Sequence, residues 1–461
     1  NFQINPNAFG EPSRHSGRFY PKPPDPMHYA SIFRILGVLL MLFSSTQIPP
    51  LLVALFYAEP VWQPFLLAFL ITLVTGACIW WPVRGVQEEL RIREGYLITA
   101  LFWIVLGSFG AIPFMFSETP HMSLTDALFE AISGISTTGA TVLIGLDQLP
   151  RAILYYRQQL QWFGGMGIVV LAVAIMPMLG IGGMQLYRAE MPGPLKEQKL
   201  SPRIADTAKT LWLIYCGLTL ACAAAYWAAG MSLFDAIGHS FSTIAIGGFS
   251  THDASIGYFD SPLVETICMF FLVISGINFG LHFLAWRRRS LSHYLRDPEC
   301  RAYLLILLAV FLVTALVLVA QRHYEQPLQS IRYAAFMVVS IGTTTGFGLA
   351  DFATWPTFLP HLLLYTTFIG ACAGSTGGGM KVMRILLVYR QGMREFMRLL
   401  HPSGVFLVKL GRRPIPDRVV ESVWGFCSIY LVTFVVLMLV LLALGVDLLT
   451  VPYKGTAPAM N

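Results

Sequence analysis

The 461-residue sequence is short of charge: Asp, Glu, Lys and Arg make up 12% of it, about half the roughly 25% usual in soluble globular proteins. That scarcity argues against a large water-exposed surface. It also argues against a carrier that works through ionisable groups inside its spans, because Glu265 and Glu421 stand only at the edges of apolar runs. Neither HExxH nor GxSxG occurs and the ten histidines are scattered, so no enzyme chemistry is indicated. The seven cysteines (Cys78, Cys216, Cys222, Cys268, Cys300, Cys372 and Cys427) form no CxxC pair, and most lie in apolar runs. They read as small hydrophobes, not as a disulfide framework or a zinc site. Residues 1–26 are polar and proline-rich, without an apolar stretch of signal-peptide length. The expected native start is Met27, which leaves 1–26 as a disordered or non-native extension.

Hydrocarbon is what the chain has in abundance, at 55% hydrophobic residues. A membrane-crossing helix needs about 20 largely apolar residues. Such runs lie near 31–57, 64–82, 97–117, 158–181, 208–229, 262–285, 302–320, 357–389 and 418–446. The first is interrupted by Pro49-Pro50, where a kink or stop is expected. Most of the 31 Lys and Arg fall on alternate loops, after the second, fourth, sixth and eighth runs. Arg151, Arg157, Arg322 and Arg332 are the few on the opposite side. By the positive-inside rule the N-terminus starts in the cytoplasm. The net charge of +6 follows from that topology and implies no nucleic-acid partner.

Between the spans lies a repeat. SLTDALFEAISGISTTGAT (123–141) and SLFDAIGHSFSTIAIGGFS (232–250) align without a gap, and PLQSIRYAAFMVVSIGTTTGFG (327–348) is a looser third copy. Ser123 with Asp126, and Ser232 with Asp235, suit the first turn of a short helix, as a variant of the capping box. The helix then ends, partial negative charge foremost, at a segment of small residues. Non-helical backbone is tolerated at membrane depth only where it is buried in protein or lines a water-filled path. Carbonyls of Thr137, Thr138 and Gly139 could there replace the hydration shell of a cation. Ordinary outer loops are the alternative for one copy; three copies in register favour the pore. His239 and His252 flank the second copy and read as outer-loop polar residues.

The eighth run contains GACAGSTGGGMK (370–381), with five glycines, Gly370, Gly374, Gly377, Gly378 and Gly379, in ten residues. At roughly 1 kcal/mol each relative to alanine, they weaken a helix strongly. A broken, movable segment and close packing through Gly370-xxx-Gly374 are both open readings. A phosphate loop fits poorly, since Met380 and not Lys follows Gly379. Lys381 either acts on this segment or snorkels to the interface.

These residues resemble the Trk/Ktr/HKT superfamily, in its bacterial Trk-type (TrkH/TrkG) potassium-uptake branch. The resemblance runs from about Met27 to about Leu449. It is carried by TTGATV (137–142), LQWFGGMGI (160–168), GGMQLYRAEMPGP (182–194), HSFSTIAIGGFSTHDAS (239–255) and GACAGSTGGGMKVMRILL (370–387). It implies an all-α polytopic membrane protein: two leading transmembrane helices, then span–pore-helix–span repeats. The chain then divides into the extension (1–26), a two-helix leading domain (27–95), pore repeats 1 (96–205), 2 (206–300) and 3 (301–416, with an intramembrane gate loop), and an incomplete repeat 4 (417–461). The implied function is potassium uptake across the bacterial inner membrane by a multi-pass homodimer. Its regulator would be a cytosolic TrkA-type nucleotide-binding subunit. Potassium is substrate; no covalently bound cofactor is expected.

The implied filter is Thr137, Thr138 and Gly139; Ile246, Gly247 and Gly248; and Thr344, Thr345 and Gly346. In the second set a one-residue slip stays open, because two glycines are adjacent. The implied gate is the 370–381 loop. In this superfamily serine at the first filter glycine accompanies Na⁺ transport, so Gly139 argues for K⁺. A proton-coupled (symport) or sodium-permeable cation carrier is the alternative. The chain departs from the family pattern after Leu449, where TVPYKGTAPAMN (450–461) lacks filter-like residues. The fourth repeat is therefore expected to be incomplete, and transport by this chain alone to be poor.

Overall fold

In a computed structural model that describes residues 27–86, 92–167, 204–410 and 413–445, the chain is a stack of helices with one two-residue β-hairpin, β1 (Lys409–Leu410) and β2 (Arg413–Pro414). The calls on residues 1–26, 168–203 and 446–461 lie outside the described residues. The helices in order are α1 (Tyr29–Ser44), α2 (Ile48–Phe56), α3 (Trp62–Trp80), α4 (Ile92–Gly110), α5 (Ile112–Phe116), α6 (Leu124–Ile135) and α7 (Arg151–Trp162). Then come α8 (Ile204–Ala228), α9 (Leu233–Ala245), α10 (Pro262–Ser275), α11 (Phe279–Arg288), α12 (Ser292–Arg296) and α13 (Pro298–Ala320). The last are α14 (Pro327–Gly342), α15 (Phe358–Ile369), α16 (Val382–Leu400) and α17 (Asp417–Ala443). Among the described residues, six helical stretches are long and apolar enough to cross a membrane, and α10 with α11 makes a bent seventh. The protein is an all-α, polytopic membrane protein.

The first span breaks where its prolines require it. A proline ring clashes with the carbonyl four residues back, which for Pro49 and Pro50 means Ser45 and Thr46. There the α-helix gives way to a 3₁₀ turn, Ser45–Gln47. The released Thr46 carbonyl accepts a 2.7 Å bond from Gln159 Nε2, and Gln47 Nε2 donates to the Tyr156 hydroxyl at 2.9 Å. The break is thus satisfied by α7, as a helix interruption in a membrane must be. α1 and α3 pack with backbones touching: a Cβ on Gly37 would stand 2.8 Å from the Gly76 carbonyl.

Two later spans are broken in a way hydropathy alone does not reveal. The sixth bends by 93° between α10 and α11, with Asn278 capping α11 through a 2.7 Å bond from Gly280 N–H. The eighth is interrupted between α15 and α16, as its glycines predict. Each break closes the other's backbone: Cys372 N–H donates to the Gly276 carbonyl and Phe279 N–H to the Gly374 carbonyl, both at 3.0 Å.

Three times, then, a long apolar helix (α4, α8, α13) leads to a helix of 12 to 16 residues (α6, α9, α14). Each short helix ends in a segment running back over the protein interior. The first two begin as expected: Ser123 and Ser232 Oγ accept from the amides of Asp126 and Asp235. The capping box is modified, since each aspartate takes the serine hydroxyl at 2.7 Å.

Candidate functional site

The segments that leave α6, α9 and α14 share one backbone conformation. Thr137, Ile246 and Thr344 have φ of 55°, 56° and 70°, and two residues on Gly139, Gly248 and Gly346 have φ of 80°, 82° and 84°. Left-handed φ is uncommon outside glycine and costly for a β-branched residue, so its recurrence at matched positions is not accidental. It fixes the register of the second copy: Gly248, not Gly247, is the partner of Gly139. The hydrogen bonds recur too. Thr138, Gly247 and Thr345 donate to the carbonyls of Ser133, Ser242 and Ser340 at 2.8–2.9 Å. Each short helix therefore hands its chain into the same alternating turn.

The three segments meet. A Cβ on Gly139 would lie 2.1 Å from the Gly247 carbonyl oxygen, and one on Gly248 would lie 2.1 Å from the Thr345 carbonyl oxygen. The third-position glycines of the first and second copies thus abut the second-position carbonyl of the copy that follows. Gly139, Gly248 and Gly346 together line a cavity of about 380 Å³, which also borders Asp253 and Asp351. Of the nine residues named from the sequence, Gly139, Gly248 and Gly346 line the cavity, and Gly247 and Thr345 meet the first two of these glycines through their carbonyls.

Behind this arrangement stands an ion pair that sequence reasoning missed. Arg157 and Glu130 are both fully buried, with Arg157 Nε donating to Glu130 Oε1 at 2.6 Å. Arg157 also donates to Thr141 Oγ1 at 2.9 Å and to the Ser250 carbonyl at 3.2 Å. Its guanidinium lies 4.3 Å from the centre of the Phe249 ring. Glu130 accepts in turn from Thr141 Oγ1 and from Val142 N–H. The pair ties the chain after Gly139 to the chain after Gly248. In the sequence Arg157 counts as one of a few outer-loop charges, and its Glu partner lies 27 residues away; only the repeat alignment, which puts Glu130 opposite His239, hints at a special position.

The two histidines are not both loop residues. His239 is fully buried within α9, with its ring nitrogens 2.9 Å from the Asp235 carbonyl and from Ser250 Oγ. Helical periodicity turns it inward beside Ser240 and Thr243, which corrects the outer-loop reading. His252 does stand at the mouth of the cavity. Its ring stacks on Tyr258 at 3.5 Å and reaches Asp147 and Asp235. Burial pulls its pKa down, but the bonds to Asp235 and Asp147 prevail and hold it above the ordinary histidine value. Asp126 and Asp235 are first-turn residues, as expected, a full short helix from the three segments.

The 370–381 loop presses against the second and third segments. Gly378 N–H donates to Thr344 Oγ1 at 2.7 Å, and Thr376 Oγ1 donates to the Ile244 carbonyl at 2.9 Å. A Cβ on Gly377 would lie 3.0 Å from the Thr343 carbonyl and 2.6 Å from Ala371 Cβ. Gly370 and Gly374 are both in the left-handed region and off any helix, so the helix-packing reading of their spacing fails. Lys381 folds back onto the loop, donating to the Gly377 and Ser375 carbonyls; it does not snorkel. Glu299, unremarked in the sequence, accepts from the amides of Ala373 and Met383 at 2.6 and 3.1 Å and so pins both ends of the loop.

The chain is similar to known proteins over most of its length. A family model described as TrkH, a cation transport protein, matches residues 62–451. The Trk system potassium uptake protein TrkH of Salmonella typhimurium is 59% identical over 421 residues, covering 91% of this chain and 87% of that protein. The Trk system potassium uptake protein TrkG of Escherichia coli K12 is 42% identical over 423 residues, covering 92% and 87%. A crystal structure of the potassium transporter TrkH from Vibrio parahaemolyticus superposes with a TM-score of 0.84 at 52% identity, over 94% of this chain and 90% of that one.

Proposed function

The chain belongs to the TrkH family of cation transport proteins, and from that premise we propose that it takes up potassium through a carbonyl-lined filter made by 137–139, 246–248 and 344–346. The observation that carries this is the shared alternation of left-handed φ at three matched positions around one cavity. Such backbone presents successive carbonyls to an axis, where they can stand in for water around a bare cation. The short helices add the partial negative charge of their C-termini beneath it. The 370–381 loop, bonded to Thr344 and to the Ile244 carbonyl, is the gate. Its mover is a cytosolic nucleotide-binding subunit of the TrkA type, and the active unit is a homodimer in the bacterial inner membrane with the N-terminus inside. Transport and not catalysis is the reading, with potassium as substrate and no cofactor required.

Gly139→Ser tests the filter. Its Cβ would fall on the Gly247 carbonyl at 2.1 Å in a conformation that side chains disfavour. Potassium/sodium discrimination in flux assays should drop by about tenfold or more, the equivalent of roughly 1.4 kcal/mol. Unchanged discrimination would contradict the filter, and a parent protein that passes sodium equally well would favour a sodium-permeable carrier.

A further inference from the structure

The three copies are braced differently, and the difference points to one residue. In the first and third copies, hydroxyls of the copy itself hold the turn. Thr138 Oγ1 pairs with Ser136 Oγ and Thr345 Oγ1 with Thr343 Oγ1, both at 2.7 Å. One turn earlier, Ser133 Oγ donates to the Ala140 carbonyl and Ser340 Oγ to the Phe347 carbonyl. The second copy has lost this set. Ala245 and Gly247 stand where the paired hydroxyls would be, and Ser242 Oγ, the counterpart of Ser133, is buried without a hydrogen bond.

Two glutamines of α7 occupy those places. Gln161 Nε2 donates to the Gly247 carbonyl at 2.6 Å, and its Oε1 accepts from Phe249 N–H at 3.0 Å. Gln158 Nε2 donates to the Phe249 carbonyl at 3.3 Å; Phe249 is the counterpart of Ala140 and Phe347. Both glutamines are fully buried. Room has been made for them. A Cβ on Gly247 would lie 2.4 Å from Gln161 Cδ, and one on Gly238 would lie 1.8 Å from Gln158 Oε1. Gly238 stands where the other copies have Phe129 and Phe336. Gly247 is outside the left-handed region, so Gln161, and not the backbone, excludes a side chain there.

We propose that Gln161 is a selectivity-positioning residue: its carboxamide replaces the missing filter threonine of the second copy and sets the Gly247 carbonyl. A carbonyl has two lone pairs, so the bond from Gln161 leaves one for the ion while fixing its direction. The inference rests on the filter reading above. A conventional packing role would make Gln161→Leu a stability defect alone. A positioning role makes it a selectivity defect that threonine chemistry can repair.

The experiment uses the full chain in potassium-uptake-deficient cells and after purification. It compares Gln161→Leu with the triple variant Gln161→Ala/Ala245→Ser/Gly247→Thr, which rebuilds the hydroxyl pair of the other copies. Readouts are the potassium/sodium flux ratio and the ratio of potassium to sodium concentrations that protect against thermal unfolding. Gln161→Leu should lower both ratios by about tenfold, about 1.4 kcal/mol, the order of one lost buried hydrogen bond; the triple variant should recover most of that loss. If Gln161→Leu does not fold, the triple variant alone decides: parent-like ratios support the proposal and lowered ratios overturn it. Parent-like ratios in Gln161→Leu, or a triple variant no better than Gln161→Leu, overturn it. Gly139→Ser in parallel separates the two failures, since unchanged ratios there sink the filter reading itself.

Discussion

Residues that read as ordinary polar surface turn out to be the scaffolding. Arg157, Gln158, Gln159 and Gln161 are nearly or fully buried on one short helix, although the stretch RAILYYRQQLQW (151–162) looks like the wet approach to a span. Composition cannot separate a solvated Arg from one buried against Glu130, because the partner is distant in sequence and the pairing is made by the fold. The physical consequence is testable. Breaking a buried ion pair from one side leaves an uncompensated charge at a cost of about 3–5 kcal/mol. Arg157→Met should therefore lower the thermal stability of the purified protein sharply, while Glu130→Gln/Arg157→Met should cost less than the single change. A double variant as unstable as the sum of its parts would show that the pair is not coupled. The residues proposed as the filter stood out more readily, since the first two copies align without a gap behind Ser-Leu-x-Asp-Ala and the third, like the first, ends in Thr-Thr-Gly. What the letters left open, the slip between Gly247 and Gly248, is closed by backbone dihedrals.

At the level of elements, interruptions in apolar runs mark function only when something uses the freed backbone. Pro49-Pro50 and the five glycines announce their breaks through known steric and entropic effects. The 93° bend after α10 has no such signal beyond Gly276 and Asn278, and the backbone it frees is bonded by the 370–381 loop. That loop is held by Glu299 and Lys381 and lies directly against Thr343 and Thr344. An added methyl has no space there: Gly377→Ala would place Cβ 2.6 Å from Ala371 Cβ, so the loop must shift away from the segments proposed as the filter. Potassium flux without the proposed regulatory partner should rise several-fold over the parent, read in uptake assays on cells lacking a TrkA-type subunit. Flux equal to or below the parent's would mean that the loop does not obstruct the path.

For the whole molecule, hydropathy and the distribution of Lys and Arg were enough to reveal a polytopic helical protein, because a membrane forces long apolar helices. Hydropathy was a weaker guide to which spans are continuous and to what lies between them, since short re-entrant helices are too brief to score as spans. Quasi-equivalent copies account for the matched turns, the shared cavity and the contacts from Gly139 and Gly248 to the copy that follows each. The most direct test is a crystallographic or cryo-EM map of the protein soaked with thallium, a heavy, potassium-sized cation. The account predicts density on the axis enclosed by the carbonyls of 137–139, 246–248 and 344–346. Thallium density elsewhere, with those three segments empty, would contradict it.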